Sequence, residues 1–461
     1  MQPNALIPKS VPQAQAVLPV REGAFSRRAF LARGAALLPV AGTAPAARRT
    51  VAAESPGDPI DPGYVGPQFF DEQERRALAD VLEAGSPFRY WGPGRPDKVR
   101  RFEDAFARTM GTRFALGVTS GTAALDCAVA ALGIGPGDEV ILPAYTWWSD
   151  YTCVVHAGAL PVFAEIDDTL NLDPYYFAQK ITPRTKAVIV VHLLGGPADL
   201  GPILGAARQQ GVRVIEDCAQ CVGGSFRGAP LGSLGDLGIY SFQINKMITS
   251  GEGGAVVTND PVLYERAVRF HDMGNLNGLF QERLGGSQET HFAGENFRMN
   301  ELTGAVLGAQ LGKLPRMVQS LREHAGAIRQ GLRDLPGIRF RRQPDPAGDI
   351  GYGVYFQLAD RARRDRCINL LREHQVPAST VTGSVLLPVQ ESVIAKRARA
   401  AQWPSFATPE GKAMQYGAAC CPRTLDVHDR FVQIRVGAKY TSRIDDYIVA
   451  QVRELWPAII A

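Results

Sequence analysis

The chain has 461 residues, of which 45% are hydrophobic and 21% are charged. That composition is typical of a globular protein and excludes collagen, a coiled coil and wholesale disorder. Lys and Arg number 50 against 46 Asp and Glu, without a run of like charges, so we expect no nucleic-acid partner. No stretch of about 18 apolar residues occurs, so we expect no stable membrane span.

The first part of the chain has the pattern of an export leader. Arg27 and Arg28, within the segment 26–31, precede a short apolar segment at 35–41 and an Ala-x-Ala sequence at 44–46. This order is typical of a signal peptide, and paired arginines before Phe-Leu resemble a twin-arginine signal. We predict such a signal over 1–46 and a periplasmic or exported protein. The alternative is a disordered leader or a misassigned start codon, and then a cytoplasmic protein.

A linker and a large domain are predicted to follow. Residues 47–70 are rich in Pro, Gly and Ala, which is typical of a linker. Asp71, with Glu74 three residues later, predicts a helix start with a capping box. From there, short β-branched runs alternate with helical stretches as far as about residue 330. The candidate strands are 114–118, 139–142, 160–163, 187–191, 212–215, 239–242 and 254–257.

This alternation predicts an α/β fold with a largely parallel sheet in a domain over 71–330. The run at 187–191 is entirely apolar, which is typical of a strand buried on both faces. After residue 330 a helical stretch at 360–374 and a short strand at 431–436 predict a smaller α+β domain over 331–461.

Four segments at strand ends carry residues suited to chemistry, and ligands bind at such ends in open α/β sheets. The first, TSGTAAL at 119–125, opens a helix with hydroxyls and small residues. Such a helix N-terminus suits a phosphate group, held by Ser120, Thr122 and the backbone around Gly121 and Ala123. The alternative is an ordinary helix cap.

The second and third segments offer an aromatic surface and an acid. Trp147, in PAYTWW at 143–148, is suited to stack on a flat ring, or it belongs to an aromatic core. Asp217 ends an apolar strand beside Gln220, and an acid there requires a partner. That partner is a cationic heterocycle nitrogen, or Asp217 is a helix cap or surface acid.

The fourth segment contains a lysine between an apolar strand and a Gly-rich turn, YSFQINKMITSGEGG at 240–254. A desolvated Lys246 would have a lowered pKa and attack a carbonyl; the alternative is a solvated loop lysine. Together the four segments supply the parts that a pyridoxal phosphate site needs. Their spacing does not establish that they meet in space.

The cysteines do not indicate a disulfide framework, because there are seven and they are thinly spread. Cys218 and Cys221 form a C-x-x-C, a weak redox or metal signal without a second pair at zinc spacing. We predict ordinary buried thiols and no metal site.

Five motifs in order resemble the DegT/DnrJ/StrS aminotransferases, which are sugar aminotransferases of the fold-type I pyridoxal phosphate enzymes. The resemblance implies a mostly parallel seven-stranded sheet between helices, a smaller C-terminal domain, and a homodimer with sites at the interface. It also implies an amino donor, glutamate or glutamine, and a keto-sugar or keto-cyclitol acceptor. The motifs are TSGTAAL (119–125), PAYTW (143–147), EDCAQ (216–220), YSFQINKMITSGEGG (240–254) and ENFRMNELTGAVLGAQL (295–311).

The resemblance implies residue roles at matching positions. Lys246 resembles the Schiff-base lysine, Asp217 the acid that keeps the pyridine nitrogen protonated, and Trp147 the aromatic residue on the ring. Asn296 would reach the site of the neighbouring subunit, with Arg298 as a second candidate. The implied cofactor-binding set is Ser120, Gly121, Thr122, Ala123, Trp147, Asp217, Gln220, Ser241, Lys246 and Asn296.

Two departures bear on specificity and on the subunit-crossing motif. Leu194 stands where many relatives carry tyrosine, and the stretch 275–292 is long. The dehydratase relatives that replace the lysine with histidine are excluded by Lys246. Two other functions stay open: an exported binding protein that keeps the fold without catalysis, and a different pyridoxal phosphate reaction such as elimination.

We expect the double substitution Arg27→Lys, Arg28→Lys to retain the protein in the cytoplasm, because a twin-arginine route reads the arginine pair. Fractionation of cells that express the wild type and the variant measures this. An identical distribution of the two proteins would contradict a twin-arginine signal.

Overall fold

The computed structural model describes residues 60–94 and 96–461. These residues belong to one compact unit, Ala52–Ala461. The predicted signal at 1–46 and most of the predicted linker lie outside the described residues. A boundary near residue 330 stays a prediction.

The strands of the described chain form one large and three small sheets. Seven strands make the large sheet, in the order β1-β10-β9-β6-β5-β2-β4, and four make a second sheet, in the order β11-β12-β15-β13; β14 pairs with β3 and β7 with β8. The strands are β1 Phe114–Val118, β2 Glu139–Pro143, β3 Tyr145–Thr146, β4 Leu160–Ala164, β5 Thr185–Val191, β6 Arg213–Asp217, β7 Ser225–Phe226, β8 Ala229–Pro230, β9 Leu237–Ser241, β10 Gly254–Thr258, β11 Arg339–Phe340, β12 Gly353–Gln357, β13 Ala378–Thr380, β14 Val385–Leu386 and β15 Phe431–Arg435.

The helices of the described residues alternate with these strands. Among them no helix is both long and apolar enough to cross a membrane. They are α1 Val65–Gln68, α2 Glu72–Glu83, α3 Lys98–Met110, α4 Gly121–Ala131, α5 Trp148–His156, α6 Pro174–Lys180, α7 Leu200–Gln210, α8 Pro261–His271, α9 Gly278–Leu284, α10 Glu301–Leu311, α11 Leu314–Leu332, α12 Arg361–Glu373, α13 Glu391–Ile394, α14 Pro404–Ala407, α15 Pro409–Ala413, α16 Pro422–Arg430 and α17 Ser442–Ile460.

The large sheet is mostly parallel, as predicted. Strands β4, β2, β5, β6 and β9 pair in parallel, and β10 is antiparallel to both β1 and β9. All seven predicted strands are present, with ends that differ by up to two residues. Because the carboxyl ends of parallel strands share one edge, the loops after β5, β6 and β9 come together there.

Helices cover both faces of the sheet, and β5 shows how the sequence produces this. Successive side chains of a strand point to opposite faces. Val188 and Val190 pack in one hydrophobic cluster with residues of α3, α11 and α17. Ala187, Ile189 and Val191 pack in a second cluster with residues of α4, α5 and α8. The apolar run predicted to be buried on both faces is therefore confirmed.

The predicted helix start at Asp71 is also confirmed. The Asp71 carboxylate accepts from the backbone N–H of Gln73 at 2.8 Å, and the Glu74 carboxylate accepts from the Asp71 N–H at 2.9 Å. This capping box satisfies backbone donors that a helix start otherwise leaves free. Lys313 donates to Glu74 at 2.7 Å and links α2 to the segment between α10 and α11.

Candidate active site

A cavity of about 470 Å³ lies at the carboxyl ends of β5, β6 and β9. Its volume falls within the ordinary range for a small-molecule site. It brings together eight of the ten predicted cofactor-binding residues: Ser120, Gly121, Thr122, Trp147, Asp217, Gln220, Ser241 and Lys246.

Asp217 ends β6 and is 4% exposed. Its Oδ1 accepts from the Ala219 N–H at 2.8 Å. Burial raises the pKa of Asp217 above its ordinary value, while the Ala219 N–H, the Asp150 carboxyl and the Lys246 ammonium oppose this rise. A nearby cation offsets the cost of burying a carboxylate at the wall of a cavity. Asp217 can therefore bind a protonated heterocycle nitrogen.

Lys246 lies in the loop after β9. Hydrogen bonds fix residues of this loop that come before and after Lys246 in the chain. Phe242 N donates to Gly253 O at 2.8 Å, and Thr249 Oγ1 donates to Phe242 O at 2.8 Å. Burial lowers the pKa of Lys246, although Asp217 and Asp150 favour its charged form. A lowered pKa increases the fraction of neutral amine that can attack a carbonyl.

The helix α4 starts at the cavity with the arrangement of an anion site. Ser120 caps the helix by accepting from the Ala123 N–H at 3.0 Å. The Thr122 and Ser149 hydroxyls form a hydrogen bond of 2.7 Å. Because the first N–H groups of a helix have no acceptor within it, those of Gly121 and Thr122 remain available to a phosphate.

Two glycines allow this helix start to approach the sheet. A Cβ on Gly121 would lie 2.7 Å from the Ser241 Cβ, and a Cβ on Gly254 would lie 2.2 Å from the Ser120 carbonyl oxygen. Any larger residue would therefore push α4 away from β9 and β10. Glycine at both positions brings the Ser120 and Ser241 hydroxyls to one end of the cavity.

Trp147 and Gln220 line the wall of the cavity in different ways. Trp147 is 50% exposed, so part of its ring is open to a ligand. The Gln220 carboxamide accepts from Leu194 N at 3.1 Å and donates to Gly383 O at 2.8 Å. Gln220 thus joins the loop after β5 to the segment that precedes β14.

Ala123 and Asn296 do not line this cavity. The Ala123 N–H is occupied by the Ser120 hydroxyl, so this amide is a cap donor, as the alternative interpretation of the segment holds. Asn296 pairs with Asp272 in an isolated antiparallel bridge. Arg298 forms an ion pair with Asp272 and lies over the Phe88 ring. The predicted contact of Asn296 with a neighbouring subunit stays a prediction.

Several cavity residues were missed from the sequence. Asp150, which was also missed, lies two residues after the PAYTWW motif and does not itself line the cavity. Arg435 ends β15, more than 180 residues after Lys246 in the chain, and it lines the cavity with Tyr64 and Tyr352. Only the acid beside the aromatic cluster offered a local signal, because the other contacts join distant parts of the chain.

Glu216, which precedes Asp217 in β6, does not line the cavity. Glu216 is fully buried, and its carboxylate contacts His192 Nε2 at 3.1 Å and accepts from three backbone N–H groups at 2.6–2.9 Å. Those donors are Gly232, Leu234 and Gly235. Cys218, Glu216 and His192 lie close enough together to hold a metal ion. Both carboxylate oxygens of Glu216, however, already accept hydrogen bonds. Cys218 and Cys221 are buried free thiols, as predicted.

The donor set fits pyridoxal phosphate in chemical type. Asp217 suits a pyridinium nitrogen, the Lys246 amine suits an aldehyde, and the hydroxyls and N–H groups at the start of α4 suit a phosphate. The half-exposed Trp147 suits the face of a flat ring. These groups line one cavity of sufficient volume, so the residues fit the group that the sequence motifs imply.

Comparison with known proteins gives matches over most of the described chain. The model of the DegT/DnrJ/EryC1/StrS aminotransferase family matches residues 70–402. GDP-perosamine synthase of Vibrio cholerae is 35% identical over 268 residues, 58% of this chain and 70% of that protein. L-glutamine:2-deoxy-scyllo-inosose aminotransferase of Streptomyces kanamyceticus is 39% identical over 294 residues, 62% of this chain and 67% of that protein. The X-ray structure of the aminotransferase from Psychrobacter cryohalolentis has a TM-score of 0.72 at 28% identity, over 85% of this chain and 98% of that one.

We expect Glu216→Gln to destabilise the protein by about 3 kcal/mol at neutral pH, because an amide nitrogen would face backbone donors. Burial opposes ionisation of Glu216, but hydrogen bonds from His192, Gly232 and Gly235 lower its pKa below the ordinary value. A lowered acid pKa stabilises the fold above the unfolded pKa of about 4.3, and this stabilisation is lost as the pH falls through the folded pKa.

Chemical denaturation near neutral pH and near pH 4 measures the free energy of unfolding of both proteins. We expect the difference in this free energy between wild type and variant to be smaller at the lower pH. The exposed Glu83→Gln is the matched control and should change stability by less than about 0.5 kcal/mol. Equal losses for the two variants would contradict the assigned role of Glu216.

Proposed function

The chain belongs to the DegT/DnrJ/EryC1/StrS aminotransferase family, and from that premise we propose that it moves an amino group to a keto sugar or a keto cyclitol. Glutamate or glutamine is the proposed donor, and pyridoxal 5′-phosphate is the proposed cofactor. The observation that carries the proposal is the cavity shared by Lys246 and Asp217, with the start of α4 at one end.

When bound, pyridoxal phosphate supplies an aldehyde that accepts the amino group and a ring that withdraws electrons from the donor Cα. The Lys246 amine would hold the cofactor through its aldehyde carbon until the amino group of the donor takes that place, and it would then be available as a free amine. Its lowered pKa would let it act as a general base on the Cα proton of the donor, and its ammonium form would then donate that proton, as a general acid, to the aldehyde-derived carbon of the cofactor. The same groups act in reverse order with the acceptor.

Asp217 holds the ring nitrogen in its protonated form. A carboxylate next to a heterocycle nitrogen favours the charged ring, and a charged ring withdraws more electron density from the reacting carbon. The hydrogen bond from Ala219 N–H at 2.8 Å orients one Asp217 oxygen.

Arg435 is the proposed anchor for the donor carboxylate. Among the described residues that line the cavity, Lys246 and Arg435 are the cationic side chains. Lys246 is committed to the reacting carbon, whereas Arg435 lies across the cavity at the end of β15 and donates to Gly63 O at 3.1 Å. A guanidinium recognises a carboxylate with two parallel hydrogen bonds, and every α-amino acid donor carries an α-carboxylate.

The relatives support the acceptor class. One is named a GDP-perosamine synthase and the other a glutamine:inosose aminotransferase, so a sugar and a cyclitol each have a precedent. Leu194 lines the cavity with an apolar side chain, which favours an acceptor with an apolar edge at that position. If the predicted signal is used, the acceptor is a compound outside the cytoplasm.

A homodimer and the cofactor roles of the predicted residues complete the proposal. The partly exposed Trp147 and the open side of the cavity suit coverage by a second copy. Asn296 is the proposed contribution of that copy. Ser120, Gly121, Thr122 and Ser241 are the proposed phosphate site, because their polar groups meet at the start of α4.

We expect wild-type protein loaded with pyridoxal phosphate to change to the pyridoxamine form when glutamate or glutamine is added. We expect Lys246→Ala to lose this half-reaction by about 10²- to 10⁴-fold, because the general base is absent. Absorbance of the cofactor measures the change, and borohydride reduction followed by peptide mass spectrometry locates the modified lysine.

The exposed Lys186→Ala is the matched control and should behave as wild type. Turnover by Lys246→Ala, or borohydride labelling elsewhere, would overturn the assignment. Release of ammonia would indicate elimination instead, and cofactor binding without any conversion would indicate a binding protein.

We expect Arg435→Gln to raise the KM for the amino donor by about 10- to 100-fold, because a charged hydrogen bond to the carboxylate is lost. The KM for the keto acceptor should change little, since that substrate lacks the carboxylate. Steady-state kinetics with each substrate varied in turn measure both constants. Arg339→Gln, on β11 of the same sheet and outside the cavity, is the control. An equal rise for both substrates would contradict the anchor role.

A further inference from the structure

A second buried acid lies behind Asp217. Asp150 is in the first turn of α5 and is fully buried. Its Oδ2 accepts a short hydrogen bond from the Thr146 hydroxyl. Its Oδ1 is buried, and no N–H or hydroxyl group of the described residues donates a hydrogen bond to it.

The Asp150 and Asp217 carboxyl groups lie within hydrogen-bonding reach of each other. Two ionised carboxylates are both acceptors, so contact between them in a buried site brings like charges together without a donor. A proton between them removes the repulsion and supplies the donor that the free oxygen of Asp150 lacks. One proton shared by the pair would satisfy both carboxyl groups, as when two neighbouring carboxyl groups share a site.

The surroundings decide which of the two carboxyl groups holds that proton. Asp217 receives the Ala219 N–H and faces Lys246 and His192, all of which favour a carboxylate. Asp150 receives only the Thr146 hydroxyl. Burial and the Asp217 charge raise the pKa of Asp150 well above its ordinary value, although Lys246 opposes the rise.

The remaining groups near Asp150 do not reverse this assignment. The Cys153 thiol on the same helix is neutral, because burial raises its pKa well above the ordinary value. The N-terminus of α5 favours a negative charge, but it acts only through the partial charges on its first backbone N–H groups. Asp126 on the neighbouring α4 faces Cys153 and His156.

We propose that Asp150 is a positioning residue that stays protonated at neutral pH and donates a hydrogen bond from Oδ1 to the carboxylate of Asp217. It fixes the orientation of Asp217 without adding a negative charge to the cavity. The shared proton is a property of the chain itself; only its consequence for the ring nitrogen rests on the proposed function.

The first test uses apoprotein and needs no cofactor. An acid with a raised folded pKa makes the folded state bind more protons than the unfolded state, so stability falls as the pH rises between the two pKa values. Asp150→Asn keeps a donor toward Asp217 and an acceptor toward Thr146 but cannot ionise. We expect the urea midpoint of the wild type to fall, relative to Asp150→Asn, as the pH rises from about 5 to about 9.

The pKa of Asp126 is also raised by burial, to about 6, but Asp126 is present in both proteins and cancels in the comparison. The exposed Asp80→Asn is the control and should follow the wild type. Parallel profiles for wild type and Asp150→Asn would show that Asp150 is ionised and would overturn the proposal. Infrared spectra of apoprotein with labelled aspartate give an independent readout, since a protonated carboxyl band of the wild type at neutral pH must be missing from Asp150→Asn.

The second test locates the proton with added pyridoxal phosphate. If Asp150 is neutral, Asp150→Asn leaves the charge near Lys246 unchanged, and the pH midpoint of the cofactor absorbance should stay within about 0.3 unit of wild type. Asp217→Asn removes a charge and should lower that midpoint by about 1 unit or more. The reverse pattern would place the proton on Asp217. Failure of the cofactor to bind would count against the proposed function and leave the apoprotein result standing.

Discussion

The attraction between a buried amine and a buried carboxylate is the constraint on which the site depends. Lys246 and Asp217 are each costly to desolvate, and each opposes the pKa shift that burial imposes on the other. The Ala219 N–H orients the acid, and hydrogen bonds from Phe242 and Thr249 hold the lysine loop. The fold therefore places the Lys246 amine and the Asp217 carboxylate in the wall of one cavity.

The alternation of a strand explains why two adjacent acids do different work. Glu216 and Asp217 end β6, and successive side chains of a strand point to opposite faces. Glu216 is surrounded by His192 and three backbone N–H groups, which hold it charged within the protein. Asp217 has one such N–H and an open cavity. The two acids thus differ in how many backbone donors the fold supplies and in whether they line the cavity.

Close approach of backbone segments gives the site its shape. Gly121 and Gly254 allow the start of α4 to lie against Ser241 and beside β10. The antiparallel pairing of β10 with β1 and β9 brings that glycine beside Ser120. Because this approach joins strands that are more than 100 residues apart in the chain, the geometry at the start of α4 depends on the order of strands in the sheet rather than on the local motif alone.

Local patterns in the sequence determined the seven strands, the capping box at Asp71, and the types of residue at each strand end, because periodicity and capping act over a few residues. Residues such as Lys246, Asp217 and Trp147 were identified from those ends and from the motif order. Only the tertiary structure decided that Ala123 is a cap donor, that Gln220 joins two loops, that Asp150 is fully buried, and that Arg435 lines the cavity. Those contacts depend on how distant segments pack, and the free energy of a buried polar group depends on donors that the local sequence does not contain.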